Sequence, residues 1–272
     1  LVSNTVRHYS NIIPQVSSLC QTVFEKLDHR SNLGRVNDVD HVTTKAEVIP
    51  DPPWWDAPNR GASRSTLTRD AIVTAAIDVL DEVGLEGLSM RRVAAELDTG
   101  AASLYWHVAD KEQLIHLVLD RVMEELQLPE PDPSRWEEQV REFARAARTM
   151  FASHRDLALA SMGRVPMGPS LVRITEWFLA LLRGAGIPNL PATWFPDLFA
   201  LVGAAQAVED DIVAHTDDPM TQRMGEYLSS LPADEFPNIT AVLPEMVAGD
   251  SDERFEFAVD LMIRGLGAFV EE

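Results

Sequence analysis

The chain has 272 residues, of which 46% are hydrophobic, so it is long enough for about two domains with a sizeable core. Its single cysteine, Cys20, excludes an intramolecular disulfide and a thiolate cluster within one chain. The apolar runs are far shorter than the roughly 18 residues that a membrane-spanning helix needs. No signal peptide is visible, since Pro14 cuts short Ile12-Ile13, and we therefore expect a soluble cytoplasmic protein. The net charge of −20 argues against a nucleic-acid partner if the chain is taken as a whole.

Residues 1–66 are expected to form a poorly ordered N-terminal extension. Apolar residues spaced along one helical face leave a short amphipathic helix over residues 15–29 as the alternative. Residues 51–58, Asp-Pro-Pro-Trp-Trp-Asp-Ala-Pro, are typical of a semi-rigid, extended linker. Its Trp54 and Trp55 could dock on a groove of the rest of the protein.

Three helices with short connections are predicted next. The first covers residues 68–83, with Thr68 as its N-cap and Gly84 as its stop. Ser89 is a good N-cap for a second helix, and Gly100 supplies permissive backbone after it. A third helix over residues 101–107 completes a helix-turn-helix pattern, in which it would enter a DNA major groove. From spacing alone, a plain helical hairpin remains the alternative.

The rest of the chain is predicted to be helical throughout, which gives an all-α protein. A helix capped by Asp110 begins at Lys111, and Pro129, Pro131 and Pro133 mark a domain boundary. No alternating strand pattern follows them. Pro196 is acceptable if it lies in the first turn of its helix. The predicted helices cover residues 134–153, 157–162, 170–183, 193–215, 219–231, 239–247 and 252–270.

Residues 67–126 resemble the DNA-binding domain of the tetracycline-repressor (TetR) family of transcriptional regulators. The match rests on the runs Thr-Arg-Asp-Ala-Ile-Val, Gly-Leu-Glu-Gly-Leu-Ser-Met-Arg-Arg-Val-Ala, Ser-Leu-Tyr-Trp-His-Val and Lys-Glu-Gln-Leu, which begin at residues 68, 84, 103 and 111. Residues 255–266 resemble the final helix of TetR-type C-terminal domains. The resemblance implies a three-helix DNA-binding head over residues 67–128 and a larger ligand-binding and dimerisation body over residues 129–272.

The same resemblance implies which residues of the head meet DNA. Small residues at the base-facing positions cannot make bidentate hydrogen bonds, so we expect thymine-methyl contacts and DNA shape to carry more of the specificity. For Tyr105 and Trp106, packing within the head is the alternative. The residues expected to contact bases are Thr99, Gly100, Ala101, Ala102 and Ser103, and those expected at the backbone or helix start are Ser89, Arg91, Arg92, Tyr105, Trp106, His107 and Lys111.

Two further features bear on the DNA-binding prediction: an arm before the first helix, and the position of the charged residues in the head. Arg60 and Arg64 precede the first helix and could reach the minor groove, with a solvated linker as an equally weighted alternative. The head carries 5 basic and 12 acidic side chains, a net charge of −7. Its basic residues stand at helix starts beside the motif, so position rather than net charge favours DNA contact. Few phosphate contacts predict a shallow salt dependence.

The predicted body is rich in aromatic residues and methionine. Such side chains line ligand pockets, although each is more often part of a core. Three polar residues, His154, Gln206 and Glu209, could orient a largely apolar ligand. The candidates for apolar ligand contact are Phe143, Met150, Phe151, Met162, Trp177, Phe178 and Phe199, with Met167, Trp194 and Phe195 in the same interior.

We expect no cofactor and no required metal ion. Asp211 and His215 have metal-ligand spacing, but an acidic helix end in solvent is the favoured interpretation. Small residues in residues 193–215 and in the last helix fit the family's four-helix dimer interface. A dimer would place two recognition helices roughly 34–36 Å apart on a near-palindromic operator. The prediction is a homodimeric repressor that a small molecule releases; an activator, or an all-helical enzyme using His154 and Glu209, is the alternative.

Overall fold

The computed structural model describes Pro52, Trp55 and residues 67–164, 168–215, 220–248 and 250–270, with backbone alone for 211–215, 220–222 and Val247. These residues lie in one compact unit, Ile49–Glu272. They form α-helices and one 3-10 turn, and no strand occurs among them. The prediction of an all-α protein is thus confirmed for the described part of the chain. None of its helices combines the length and apolar character that crossing a bilayer requires.

The head consists of α1 (Arg69–Gly87), α2 (Met90–Glu96), α3 (Ala101–Leu104) and α4 (Lys111–Met123). Thr68 caps α1 by accepting a hydrogen bond from the amide of Ala71 at 3.1 Å, as predicted. The predicted stop at Gly84 is a kink instead. Gly84 has a φ of +73° and the chain resumes helical geometry up to Gly87. Glycine tolerates this left-handed conformation, which interrupts α1 without ending it.

The body begins with a 3-10 turn, Pro133–Arg135, and its long helix α8 packs against four other helices, α5, α6, α7 and α11. Pro196 does not lie in the first turn of α8 as predicted. The helix begins four residues earlier than expected, so Pro196 lies inside it and leaves one intrahelical acceptor without its amide donor. The helices are α5 (Trp136–Ala152), α6 (Leu157–Ser161), α7 (Pro169–Gly184), α8 (Asn189–His215), α9 (Met220–Ser229), α10 (Pro237–Val247) and α11 (Ser251–Gly267).

Helix α4 joins the head to the body. It packs against α1 on one side and against α6 and α7 on the other. Arg164 binds Glu112 near the start of α4, with Nε 2.6 Å and Nη2 3.1 Å from the two carboxylate oxygens. In its last turn, the buried Asp120 accepts a hydrogen bond from the amide of Ser170 at 2.9 Å. Arg173 donates to the carbonyls that end α4, including that of Met123 at 3.1 Å. The body therefore holds α4 at its start and at its end.

Trp55 docks at this junction, as the linker sequence allowed. Its side chain is 5% exposed and belongs to the core. Its carbonyl accepts a hydrogen bond from Nη2 of Arg69 at the start of α1, at 2.8 Å. Its ring lies so close to Gly168 that a Cβ there would approach Cη2 to 2.6 Å. Trp55 thus lies between the head and the segment that begins α7. The remaining predictions for residues 1–66, including Trp54 and the helix over 15–29, lie outside the described residues.

Candidate DNA-binding surface and effector region

The turn between α2 and α3 is a Schellman motif. The amide of Thr99 donates to the carbonyl of Ala94 at 2.9 Å, and that of Asp98 donates to Ala95 at 3.1 Å. Asp98 adopts the left-handed conformation that this motif needs, with a φ of 49°. The prediction placed the permissive position at Gly100, and it was wrong. Gly100 has ordinary extended backbone, with φ −83° and ψ 143°, and serves as the N-cap residue of α3.

Helix α3 is a single turn rather than the predicted helix over residues 101–107. Leu104 and Val108 are fully buried and anchor this turn and the loop after it in the head, as their spacing predicted. Ser89 caps α2 by accepting from the amide of Arg92 at 3.3 Å, and Asp110 caps α4 by accepting from Gln113 at 2.8 Å. Two buried anchors therefore hold the short α3 in place, and side-chain caps begin the helices on either side of it.

A mixed aromatic and basic surface surrounds α3. Tyr105 is 47% exposed and Trp106 is 52% exposed, so packing within the head does not account for these two rings. Arg91 and Arg92 are exposed at the start of α2 and form no ion pair with the described residues. Gly100 is also exposed, and a Cβ there would meet no described atom within 4 Å. Aromatic and cationic groups beside small residues can contact phosphates while the backbone approaches the bases.

Several acidic residues of the head are engaged in contacts away from α3. Asp81 contacts His154 and Arg155 of the body, and Glu112 contacts Arg164. Others are used in capping, in the contact of Asp70 with Arg121, and in the contact of Asp120 with Ser170. The ion pair and hydrogen bonds with Arg164 hold the pKa of Glu112 below its usual range. Part of the negative charge of the head is thus engaged at the junction with the body, whereas Glu96 and Asp98 remain exposed beside α3.

Three of the predicted DNA contacts are not among the described residues of this surface. Lys111 points back into the head, where Nζ donates to the carbonyl of Leu85 at 2.9 Å. Arg60 and Arg64 lie outside the described residues. The remaining predicted positions, Ser89, Thr99, Ala101, Ala102, Ser103 and His107, are exposed or half-buried on α2, α3 and the adjoining turns.

The body contains a continuous cluster of aromatic rings. Phe143 of α5 stacks on Trp177 of α7 with ring centroids 5.6 Å apart, and meets Phe178 edge-on at 4.9 Å. Phe195 and Phe199 of α8 complete the cluster, with their centroids 5.5 Å apart. Met150 is buried, and Phe151 is half-buried against the same core. Sequence analysis placed these residues in the interior, and the structure confirms that position.

Some predicted ligand contacts lie elsewhere. His154 pairs with Asp81 of α1 at 2.9 Å, so it belongs to the junction rather than to the aromatic cluster. Glu209 is exposed on α8, and Met162 and Trp194 are 43% and 64% exposed, so the interior position expected for these residues is wrong. Periodicity could not reveal this, because α8 is apolar around most of its surface. Met167 lies outside the described residues, as do the side chains of Asp211 and His215.

Gln206 is the one predicted polar residue that lies on the interior face of α8 with an unsatisfied group. Its Oε1 is buried and has no hydrogen-bond partner among the described residues. One turn further along α8, Asp210 accepts hydrogen bonds from Nη2 and Nε of Arg148 at 3.0 and 3.1 Å. No sequence pattern predicted this pair, since nothing local links residues 62 positions apart. No cluster of three or more potential metal ligands occurs among the described residues.

Comparisons with known proteins agree with this arrangement. Residues 72–118 match the family of bacterial regulatory proteins, tetR family, and residues 128–270 match the tetracyclin repressor-like C-terminal domain. The HTH-type transcriptional repressor DrrR1 of Streptomyces coeruleorubidus is 33% identical over 80% of this chain and 84% of its own. An HTH-type transcriptional regulator of Saccharopolyspora erythraea is 28% identical over 83% of this chain and 95% of its own.

Solved structures give the same result. ActR of Streptomyces coelicolor in complex with actinorhodin is 42% identical, with a TM-score of 0.73, and the match covers 76% of this chain and all of that one. Ligand-free ActR matches with a TM-score of 0.71 at 41% identity, over 76% of this chain and 98% of its own. The C-terminal match alone spans more than half of the chain, and the helix-turn-helix lies where the N-terminal match places it. The chain belongs to the TetR family and is a DNA-binding transcriptional regulator.

Proposed function

We propose that the protein is a homodimeric repressor that binds a near-palindromic operator and is released from it by a small, largely apolar molecule. One observation carries the proposal. Helix α4 packs against α1, which in turn packs against α2 with its exposed Arg91 and Arg92, and the body that contains the aromatic cluster holds α4 at its start and in its last turn. A change in the body would therefore reposition the DNA-binding surface.

DNA binding is assigned to residues 67–128. In this proposal the arginines at the start of α2 and the two exposed rings contact phosphates, and the edge from Thr99 to Ser103 approaches the bases. Small side chains at Gly100, Ala101 and Ala102 favour readout of thymine methyl groups and groove shape. Arg60 and Arg64 would supplement this readout from the minor groove.

The dimer is assigned to residues 129–272. Helix α8 exposes Trp194, Leu198 and Leu201 along one stripe, and α11 exposes Phe257 and Leu261. Both helices also pack against each other. Exposed apolar stripes of this extent on adjacent helices are typical of an interface. Pairing these stripes with those of a second copy would bury them and form a four-helix interface.

Effector binding is also assigned to the body. The relative ActR has been solved with actinorhodin bound, and this chain's aromatic cluster is suited to an apolar, ring-containing ligand. A ligand that favours one arrangement of the body would change the spacing of the two heads and weaken operator binding. Such a regulator would act in the cytoplasm.

Selection of bound fragments from genomic DNA tests this function. We expect enrichment of a near-palindromic site and a shift of that site in gel electrophoresis at nanomolar protein concentration. Neighbouring genes would suggest effectors, and an effector should release the DNA without being converted to a product. Failure to enrich any sequence would contradict the proposal. A version that begins at Ser65 tests the arm, since unchanged operator affinity would show that Arg60 and Arg64 contribute nothing.

A further inference from the structure

An open space lies on the interior face of α8. Phe199, Gly203, Gln206 and Asp210 are spaced 4, 3 and 4 residues apart and therefore lie on one face of this helix. Phe199 is buried in the aromatic cluster, and Asp210 pairs with Arg148, so this face points into the body. Gly203 is half-buried, and a Cβ added there would meet no described atom within 4 Å, so this part of the face is open to a small molecule. A residue on an inward face would normally be in contact with its neighbours.

One end of this space is aromatic and the other end is charged. At one end are the rings of Phe143, Phe178 and Phe199, with the centroids of the first and last 6.2 Å apart. At the other end, Arg148 bridges Asp210 of α8 and Asp252 of α11 and lies 4.7 Å from the ring of Phe255. Phe199 and Asp210 are separated by about 16 Å along the helix axis, at 1.5 Å per residue.

The facing helix carries small inward side chains at the same level. Helix α5 carries Phe143 at the aromatic end and Arg148 at the charged end. Between them, its buried and partly buried residues are the small Ala144 and Ala147. Both helices therefore present small side chains between the aromatic cluster and the ion pair, although they pack against each other.

The unsatisfied carbonyl of Gln206 lies in this stretch. Oε1 is buried and no described residue donates a hydrogen bond to it. A buried acceptor without a donor is unfavourable, and native proteins rarely retain one without a reason. Gln206 lies one turn from Gly203 and two turns from Phe199, so the carbonyl, the open space and the ring edge are adjacent on α8.

We propose that Gln206 is the specificity-determining residue of the effector site, and that it selects aromatic molecules bearing a hydroxyl or N–H donor. The ring system would occupy the space beside Gly203 against the edge of Phe199. Its donor group would then complete the hydrogen bonding of Oε1. The inference rests on the proposed assignment of effector binding to the body, and adds to it the chemical class of the ligand.

Paired probes on the full-length protein test this proposal. 2-Naphthol and 2-methylnaphthalene have nearly the same shape, but only the first has a donor. Calorimetric titration gives the ratio of their affinities for the wild type, for Gln206→Met and for Gly203→Leu. We expect Gln206→Met to reduce the preference for 2-naphthol about tenfold, because one buried hydrogen bond is lost. Gly203→Leu should weaken both probes by filling the space.

Thermal unfolding without ligand separates this role from a structural one. If Oε1 has no partner in the free protein, Gln206→Met should melt at or above the wild-type temperature. A lower melting temperature would show that the carbonyl has a protein partner. An affinity ratio unchanged within twofold would show that a water molecule, not the ligand, donates to the carbonyl. Either result overturns the proposal. So does failure of the wild type to bind either probe at millimolar concentration. Operator binding, measured separately, would be unaffected by these outcomes, so this proposal can fail while the proposed function stands.

Discussion

Asp81 of α1 lies 2.9 Å from His154 at the end of α5, measured from Oδ2 to Nδ1. The other oxygen of the same carboxylate accepts the amide of Arg155 at 3.1 Å. An ionised carboxylate only accepts hydrogen bonds, so Nδ1 of His154 is the donor in this pair. One side chain of the head thus holds two consecutive residues of the body, at a point separate from α4. Helix α1 is thus connected to the body independently of α4, and effector binding can act through either helix.

Asp81→Ala should weaken this second connection. We expect the free energy of unfolding to fall by about 1 kcal/mol, since two partly exposed hydrogen bonds are lost. The larger effect should be on regulation, with the effector releasing less of the operator than it does from the wild type. Urea unfolding and operator titration with and without effector measure the two effects. Asp78→Ala, at an exposed position on the same helix, is the control and should change neither.

Trp55→Ala should destabilise the protein, although residue 55 precedes the first described helix. The ring is almost fully buried beside Gly168, and removal of a buried Trp typically costs about 3 kcal/mol or more. Trp55→Phe should recover most of the loss, because a smaller ring fills part of the space. Thermal unfolding of both variants checks this prediction. Equal melting temperatures for wild type and Trp55→Ala would show that the docked ring contributes nothing to stability.

Trp106→Ala should reduce operator affinity at least tenfold without destabilising the head, because the ring is half exposed and available to DNA. Leu104→Ala should have the opposite pattern. Leu104 is fully buried, and its truncation should cost about 2–5 kcal/mol of unfolding free energy. Fluorescence anisotropy with operator DNA and thermal unfolding distinguish the variants. A large fall in melting temperature for Trp106→Ala would instead assign its ring to packing.

Leu261→Arg should convert the dimer to a monomer. Leu261 is 61% exposed on α11 and would lie in the proposed interface, where a second arginine from the partner would face the first. Sedimentation at micromolar concentration should show half the wild-type mass, and operator affinity should fall because two linked heads bind more tightly than one. Val172→Arg introduces the same charge at an exposed apolar position of α7, outside the proposed interface, and serves as a control. A monomeric wild type would contradict the dimer.

His116→Gln should flatten the dependence of stability on pH. Burial lowers the pKa of His116 in the folded protein, so the unfolded chain takes up its proton at higher pH. The contribution of His116 to the free energy of unfolding is complete above pH 6.5, the ordinary pKa of histidine, and falls as the pH is lowered below that value. Glu112, whose pKa is lowered, loses its contribution only in more acidic solution, below its usual 4.5. Urea midpoints at pH 7.5 and 5.5 should therefore differ less in the variant than in the wild type.

Local patterns predicted much of the head. Thr68, Ser89 and Asp110 were identified as N-caps because a short polar side chain before an apolar stripe can satisfy a free amide, and each forms that bond. The resemblance to TetR regulators supplied the family, which the comparisons confirm. A left-handed Asp98 could not be anticipated in the same way, since the nearby Gly100 is the residue that usually takes this conformation.

The sequence by itself determined that the body is helical and which segments form its helices, because helical periodicity depends on neighbours three and four residues apart. Only the tertiary structure decided which face of each helix is interior. Helix α8 is apolar on several sides, so Phe199 and Trp194 are equivalent by composition, yet the first is buried and the second is exposed. The pairing of His154 with Asp81, the contact of Arg148 with Asp210 and the unsatisfied carbonyl of Gln206 follow from the same packing. Each depends on residues distant in the chain, whose proximity no local pattern encodes.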